Sequence, residues 1–130
     1  MKKYYKLVST LNGKLVSYNC YNNATLEDPS IVEYGTNIIS KPKIAGSKLY
    51  VFDNLQNVVD FAGFECQVWE CVVTNPKRIK QIVEFYDNVV LFWKNRREHK
   101  TRDTYIIATA PKGSIGVDSV KLVKLVEELF

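Results

Sequence analysis

The dipeptide Asn12-Gly13 limits the fold of this chain more than any other feature. It separates two strand-prone runs, residues 4–9 and 14–20. Asn-Gly readily takes the positive φ angles that a two-residue hairpin turn requires. In the second run Leu15 and Val16 would lie on opposite faces of a strand. The sequence therefore predicts an N-terminal β-hairpin and a sheet as the main architecture.

Further strand-prone runs follow this hairpin. The run 66–73 is apolar on both faces, which is typical of a strand in the middle of a sheet. Asp87-Asn88 reads as a turn, and the region 77–86 fits either a helix turn or a strand. The fold class predicted is α+β, with a mainly antiparallel sheet of five to seven strands. The other predicted strands are 31–35, 37–39, 49–52, 89–94 and 104–110.

Two helices complete the predicted fold. Asp53 is a candidate N-cap for a short helix over 54–62, and Gly63 is a candidate stop. Asp118 is a candidate cap for a C-terminal helix over 119–129, because its valines and leucines recur at helical spacing. This last helix has an apolar surface broad enough to cover the sheet and also contact a second copy of the chain.

Length and composition predict one domain. The 130 residues and 46% hydrophobic content suffice for a core without metal or disulfide staples. Three cysteines in no repeated spacing and a single histidine argue against a disulfide framework or a zinc site. No cofactor is expected. The N-terminus lacks a signal peptide's apolar stretch, and no run is long enough to cross a membrane, so a cytoplasmic protein is expected.

Positive charge is concentrated in one segment, residues 94–102, which we call the basic segment. It carries five basic residues and one acidic residue, between the apolar runs 89–93 and 105–108. Such a segment attracts anions, whether nucleic acid, nucleotide or an acidic protein patch. The alternative is a loop that only aids solubility. The candidate binding residues are Lys94, Arg96, Arg97, Lys100 and Arg102.

Two other groups of basic residues are candidates to extend this surface if the fold brings them close. One group lies in the loop between the predicted strands 37–39 and 49–52, and the other follows Asn75-Pro76. Arginine binds phosphate in a bidentate fork and lysine adds point charge. The two groups are Lys41, Lys43 and Lys48, and Lys77, Arg78 and Lys80.

Catalytic arrangements are weaker hypotheses. Glu70 among valines is a candidate general acid, with a paired or exposed glutamate as the alternative. Cys66 or Cys71 with His99 is a candidate nucleophile and base, against the simpler interpretation of core cysteines and a surface histidine. The turns 46–48 and 111–114 lack the spacing of a phosphate-binding loop and read as ordinary turns.

Three pieces of the chain, residues 49–53, 67–71 and 111–122, are similar to small uncharacterised proteins of phages and mobile elements. The similarity covers about residues 4–125 and implies no catalytic residue. It does imply a protein that acts on host machinery, for instance by blocking a host defence system. The strand-rich layout also faintly resembles ADP-ribosyltransferase-like domains, in which Glu70 would be the catalytic acid.

The leading functional prediction is therefore a small non-enzymatic binding protein, an inhibitor of a host defence or nucleic-acid-processing factor. Its partner would be a host protein with an acidic site or a site that normally holds nucleic acid, contacted through the basic segment. One alternative is a nucleotide-binding domain that sequesters a signal or transfers ADP-ribose. The other is a DNA- or RNA-binding regulator. The chain is expected to be a monomer or homodimer.

Overall fold

Antiparallel strands dominate the architecture, in a computed structural model that describes residues 2–18, 31–44, 46–63, 65–83 and 107–129. These residues form eleven strands and one helix. The strands are β1 (Tyr4–Leu11), β2 (Lys14–Ser17), β3 (Glu33–Tyr34), β4 (Ile39–Ser40), β5 (Leu49–Phe52), β6 (Cys66–Thr74), β7 (Lys77–Arg78), β8 (Gln81–Val83), β9 (Ile107–Thr109), β10 (Ser114–Val117) and β11 (Ser119–Leu129), and the helix is α1 (Leu55–Phe61).

Nine of these strands form one sheet, which exceeds the five to seven predicted. Its order is β4-β11-β6-β1-β5-β10-β7, and β2 and β3 extend it from β1. β8 and β9 form a separate antiparallel pair. Asp118 is the only residue between β10 and β11. Strand β10 pairs with β5, and β11, which follows at once, pairs with β6.

The N-terminal hairpin confirms the prediction made from Asn12-Gly13. Their φ angles are 52° and 79°, and Leu11 pairs directly with Lys14. This is the positive-φ geometry of a two-residue turn, whose twist matches that of the flanking strands. The hairpin places β1 beside β6, which lies between β1 and β11 as its apolar faces predict.

The C-terminal helix was a wrong prediction, because residues 119–129 form strand β11 against β6. Two register shifts, between Leu122 and Lys124 and between Leu125 and Glu127, each add one residue to the strand. A bulge sets two residues against one partner. Two bulges three residues apart turn the strict alternation of a strand into a spacing that imitates a helix. The valines of this run favour the strand itself.

The short helix exists, but its cap differs from the prediction. Helix α1 spans Leu55–Phe61, and the Asn54 side chain, not Asp53, accepts a hydrogen bond from the Asn57 backbone N–H. The helix ends in extended backbone at Ala62, with no left-handed stop at Gly63. Asp53 instead accepts from Arg78 at 2.6 Å, which ties the end of β5 to β7.

Apolar residues are buried on both faces of the sheet. On one face, which we call the inner face, a large cluster includes Val8, Val51, Val117 and Leu122. On the opposite, outer face, Val58 of α1 packs against a smaller cluster with Leu7 and Val68. Helix α1 covers only part of the outer face, since Val72 of β6 is 52% exposed. Cys66 and Cys71 are both buried, as predicted for core cysteines.

A lysine lies in the core of the inner face. Lys6 of β1 is 6% exposed, and its Nζ donates to the carbonyl oxygen of Tyr50 at 2.7 Å. The same Nζ lies 5.0 Å from the centre of the Tyr34 ring, a cation–π distance. Burial lowers the pKa of Lys6 to about 8, with a smaller opposing effect from Cys71. Burial likewise raises the pKa of Tyr34.

Candidate anion-binding groove

The predicted binding residues of the basic segment lie outside the described residues. Lys94, Arg96, Arg97, Lys100 and Arg102 all fall in the gap between β8 and β9, as does His99. The two ends of that gap are described, and Val83 pairs with Ile107. The Ala110 N–H also donates to Lys80 O at 2.8 Å. The predicted partner strand 89–94 lies in the same gap.

A groove lies where the loop between β4 and β5 meets Asp118. Its volume is about 290 Å³, and it opens to solvent. Its charged lining residues are Lys41, Lys48 and Asp118. The described residues that line it are Lys41, Pro42, Ile44, Gly46, Ser47, Lys48 and Asp118.

Asp118 is the most contacted side chain of this groove. One carboxylate oxygen forms an ion pair with Lys48 Nζ, and the other accepts from Asn75 Nδ2 at 2.8 Å. These hydrogen bonds, from Lys48 first and Asn75 second, lower the pKa of Asp118 below its ordinary value. Nearby Lys77 acts in the same direction, though more weakly. The carboxylate is therefore ionised at neutral pH.

Backbone geometry explains why these side chains meet at Asp118. The Asp118 N–H donates to Thr74 O at 2.9 Å, which holds the step from β10 to β11 against the end of β6. Asn75, at φ 51°, then turns the chain from β6 to β7. Asparagine tolerates this left-handed conformation better than most residues. The turn brings Asn75 against Asp118 and Lys77 near it, so the end of β6 and the start of β7 lie close to this residue of the groove.

Gly116 lets Lys48 pass close to β10. A Cβ at this position would lie 2.9 Å from Ile79 Cγ2 and 3.3 Å from Lys48 Cβ. The first distance is closer than two carbons can approach without displacement. The missing side chain thus gives room for the Lys48 stem on its way to Asp118.

The basic residues that the sequence analysis selected do not all lie at the groove. Lys41 and Lys48 from one loop line the groove, and Lys77 from β7 lies near enough to lower the pKa of Asp118. Arg78 points elsewhere and forms its ion pair with Asp53. Lys80 is exposed between β7 and β8. Two lysines from one loop therefore line the groove, and a third, Lys77, lies near its carboxylate from a separate part of the sequence.

The catalytic alternatives find no support in the positions of their residues. Glu70 pairs with Lys3 at 3.1 Å on the outer face, the paired glutamate that the sequence allowed. Cys71 is buried, and burial raises the pKa of its thiol to about 12. A thiol with that pKa is scarcely ionised at neutral pH, so it is a poor nucleophile.

The two glycine turns are ordinary turns, as predicted. Gly46 has a φ of 77°, and both the backbone N–H and the hydroxyl of Ser47 donate to Ile44 O. Gly113, at φ 85°, precedes Ser114, whose N–H donates to Pro111 O at 3.1 Å. The Ser47 hydroxyl is thus engaged within its own loop, although the loop itself forms a wall of the groove.

Comparison with protein-family models, curated proteins and solved structures gives no match for this chain. Within the described ranges, no group of three or more metal-ligating side chains comes together. The one helix found there has seven residues and is too short to cross a membrane.

The groove can attract and hold anionic groups. Lys41 and Lys48 line the groove together with one carboxylate, that of Asp118, and Lys77 lies near enough to add positive charge. The Lys48 side chain is 30% exposed and that of Asp118 41%, so solvent and ligands reach both. The sequence predicted Asp118 as a helix cap and Asn75-Pro76 as the end of a strand, and it assigned neither residue to a binding site. The only signal for either was position, at the junction of two predicted elements.

Proposed function

We propose that this chain is a small non-enzymatic binding protein that recognises an acidic surface of another protein. Lys41 and Lys48 of the groove, Lys77 near it and the basic segment together form the contact region. The observation that carries the proposal is that two lysines line one open groove, while Lys77, from a distant part of the sequence, lies near the groove carboxylate.

The lining of the groove favours an acidic protein surface over nucleic acid. Proteins that hold single strands stack the bases on aromatic side chains. The described lining has no aromatic ring, and its apolar part consists of Pro42 and Ile44. Aliphatic side chains among lysines suit carboxylates carried on a protein surface. In keeping with the sequence resemblance, we propose a phage-type inhibitor whose target is a host protein with such a site.

Binding of defined polyanions tests this proposal. A fluorescent polyglutamate peptide and a single-stranded oligonucleotide of equal charge are titrated at several salt concentrations, with anisotropy as the readout. Replacing Lys41, Lys48 and Lys77 together with Gln should weaken peptide binding about tenfold and flatten its salt dependence. Replacing Arg96, Arg97, Lys100 and Arg102 with Gln should do the same.

A matched control removes three lysines elsewhere. Lys2, Lys3 and Lys14 are exposed residues outside the groove, and their replacement with Gln changes the net charge equally. This control should bind the peptide nearly as well as the native protein. If both triple variants lost the same affinity for the peptide, net charge alone would explain the binding, and the assignment to the groove would be overturned. Tighter binding of the oligonucleotide than of the peptide would move the function to nucleic-acid binding.

A further inference from the structure

One edge of strand β11 is paired near the start of the strand, and among the described residues it has no partner strand further along. Near its start, Val120 and Lys121 pair with Ser40 and Ile39 of β4. Asn37 N–H then donates to Leu122 O at 2.8 Å. Beyond this point, residues 124–129 pair only with β6 among the residues that the structure describes. The opposite edge of these six residues therefore carries backbone donors and acceptors suited to another strand.

The side chains along this edge have a symmetric pattern. Lys124 and Glu127 lie opposite Glu70 and Val68 of β6, and so project from the outer face. The second bulge sets Leu125 and Val126 together against Trp69, on the other face. Lys124, Leu125 and Glu127 are exposed, and Leu125 is 39% exposed. Residues 124–127 thus have a lysine, two apolar residues and a glutamate in order. The reverse order gives the same arrangement with the two charges exchanged.

This pattern is complementary to itself when two copies run antiparallel. With a twofold axis between Leu125 and Val126, Lys124 of each copy lies opposite Glu127 of the other. Leu125 then lies opposite Val126 of the other copy. A twofold axis perpendicular to the sheet keeps each face continuous, so both kinds of pair lie on matching faces. Reciprocal contacts of this kind define an isologous dimer interface.

The charges near this edge leave both ionic groups available. Glu70 of β6 is the register partner of Lys124, and it forms an ion pair with Lys3 at 3.1 Å. Glu128 accepts from Gln67 at 3.1 Å, and it lies outside the proposed pairs. In the described part of the chain, neither Lys124 nor Glu127 forms an ion pair.

We propose that the β11 edge at residues 124–127 joins two copies of this chain into an antiparallel homodimer. Hydrogen bonds between the two edges extend the sheet across the twofold axis. Two Lys124–Glu127 pairs and two Leu125–Val126 contacts fix the register. The proposal is independent of the proposed binding function, since the groove residues take no part in it.

Charge reversal gives a direct test, with sedimentation velocity from micromolar to near-millimolar protein as the readout. Lys124→Glu and Glu127→Lys each turn two attractions into two repulsions, so each should lower the association constant about tenfold or more. The double variant K124E/E127K restores both pairs and should dimerise like the native chain. An equimolar mixture of the two single variants should also associate, because each supplies the charges that the other needs.

Controls separate this effect from folding and from net charge. Lys14→Glu changes the same charge at an exposed site on β2 and should leave the dimer unchanged. Circular dichroism and a thermal melt check that each variant is folded. Three results would each overturn the proposal. They are a native chain that stays monomeric throughout, single variants that dimerise like the native chain, and mixed variants that do not associate. A monomer would mean that the charges and bulges guard this edge against pairing.

Discussion

Lys6 and Lys48 show that lysine has different roles in two regions of this protein. Lys6 is enclosed by the inner face, where it bonds a backbone carbonyl and lies over an aromatic ring. Lys48 reaches an open groove and pairs with a carboxylate that solvent also contacts. The interior therefore holds a lysine whose charged form is disfavoured by burial, whereas the groove lysine and its carboxylate are both open to solvent. Substitutions in the first region should change stability, and those in the second should change binding.

The largest expected effect comes from the interior beside the groove. Val117, immediately before Asp118, is fully buried, whereas Val72 on the outer face is 52% exposed. Val117→Ala should lower the free energy of unfolding by about 2 kcal/mol, since it removes two buried methyl groups and leaves a cavity. Val72→Ala should change it by less than about 0.5 kcal/mol. Urea denaturation measures both, and equal losses would show that Val117 is no better enclosed than Val72.

Gly116 lies at the boundary between the two regions, so its substitution should affect both. The methyl group of Gly116→Ala would press on Ile79 and on the Lys48 stem. We expect a loss of about 1 kcal/mol in unfolding free energy, because overpacking forces side chains from their rotamers. Weaker polyglutamate binding should accompany it. A variant as stable and as tightly binding as the native protein would show that Ile79 and Lys48 move aside freely.

The pH dependence of stability tests the buried state of Lys6. The pKa of Lys6 is about 8 in the fold and 10.5 in the unfolded chain, so between these values the unfolded chain binds the extra proton. The contribution of Lys6 to stability should therefore rise with pH, by about 1 kcal/mol from pH 8 to pH 9. The thiol of Cys71, whose ordinary pKa is 9.0, and then Tyr34 ionise first in the unfolded chain, which offsets part of this rise and lowers stability at higher pH.

Comparison with Lys6→Met isolates this effect from the other groups. The variant keeps most of the side-chain volume and has no group that titrates. The stability difference between the native chain and Lys6→Met should change by about 1 kcal/mol from pH 8 to pH 9. A difference that stays constant over this range would mean that Lys6 remains protonated in the core.

The smallest effect is expected at Asp118. Asp118→Asn removes the only carboxylate that lines the described part of the groove. The affinity for polyglutamate should rise about threefold to tenfold, because a repelling charge is lost and Lys48 is released. The pKa of Asp118 lies below its ordinary value of 3.8, so the gain should be the same at pH 6 and pH 8. Reduced affinity in the anisotropy titration would show instead that Asp118 is needed to position Lys48.

Local signals in the sequence predicted those elements that depend on neighbouring residues. Asn12-Gly13 specified its turn because both residues tolerate positive φ, whatever lies around them. The apolar run of β6 predicted a central strand, since burial on both faces leaves no polar alternation. The helix after β5 was also predicted, although its cap lies one residue later, at Asn54. Asp53 and Asn54 are both suitable caps by residue type. In the structure Asp53 forms an ion pair with Arg78, and Asn54 is the residue that caps the helix.

The C-terminal strand and the groove could not be predicted in this way. The spacing of valine and leucine in residues 119–129 fits a helix and a doubly bulged strand equally well. Pairing with β6, whose partner residues are about fifty positions away, decides between them. The groove likewise needs Lys48, Asn75 and Asp118 together, and nothing near any of these residues indicates the other two.

The sequence by itself determined the predominance of strands, the first hairpin, the buried cysteines and the concentration of positive charge in residues 94–102. These properties follow from residue type and from contacts between close neighbours. Only the tertiary structure decided that residues 119–129 extend the sheet, that Lys6 is buried and that Lys48 and Asn75 meet at Asp118. Each of these depends on the register between strands that are distant in sequence, and a shift of one residue would move every side chain to the opposite face.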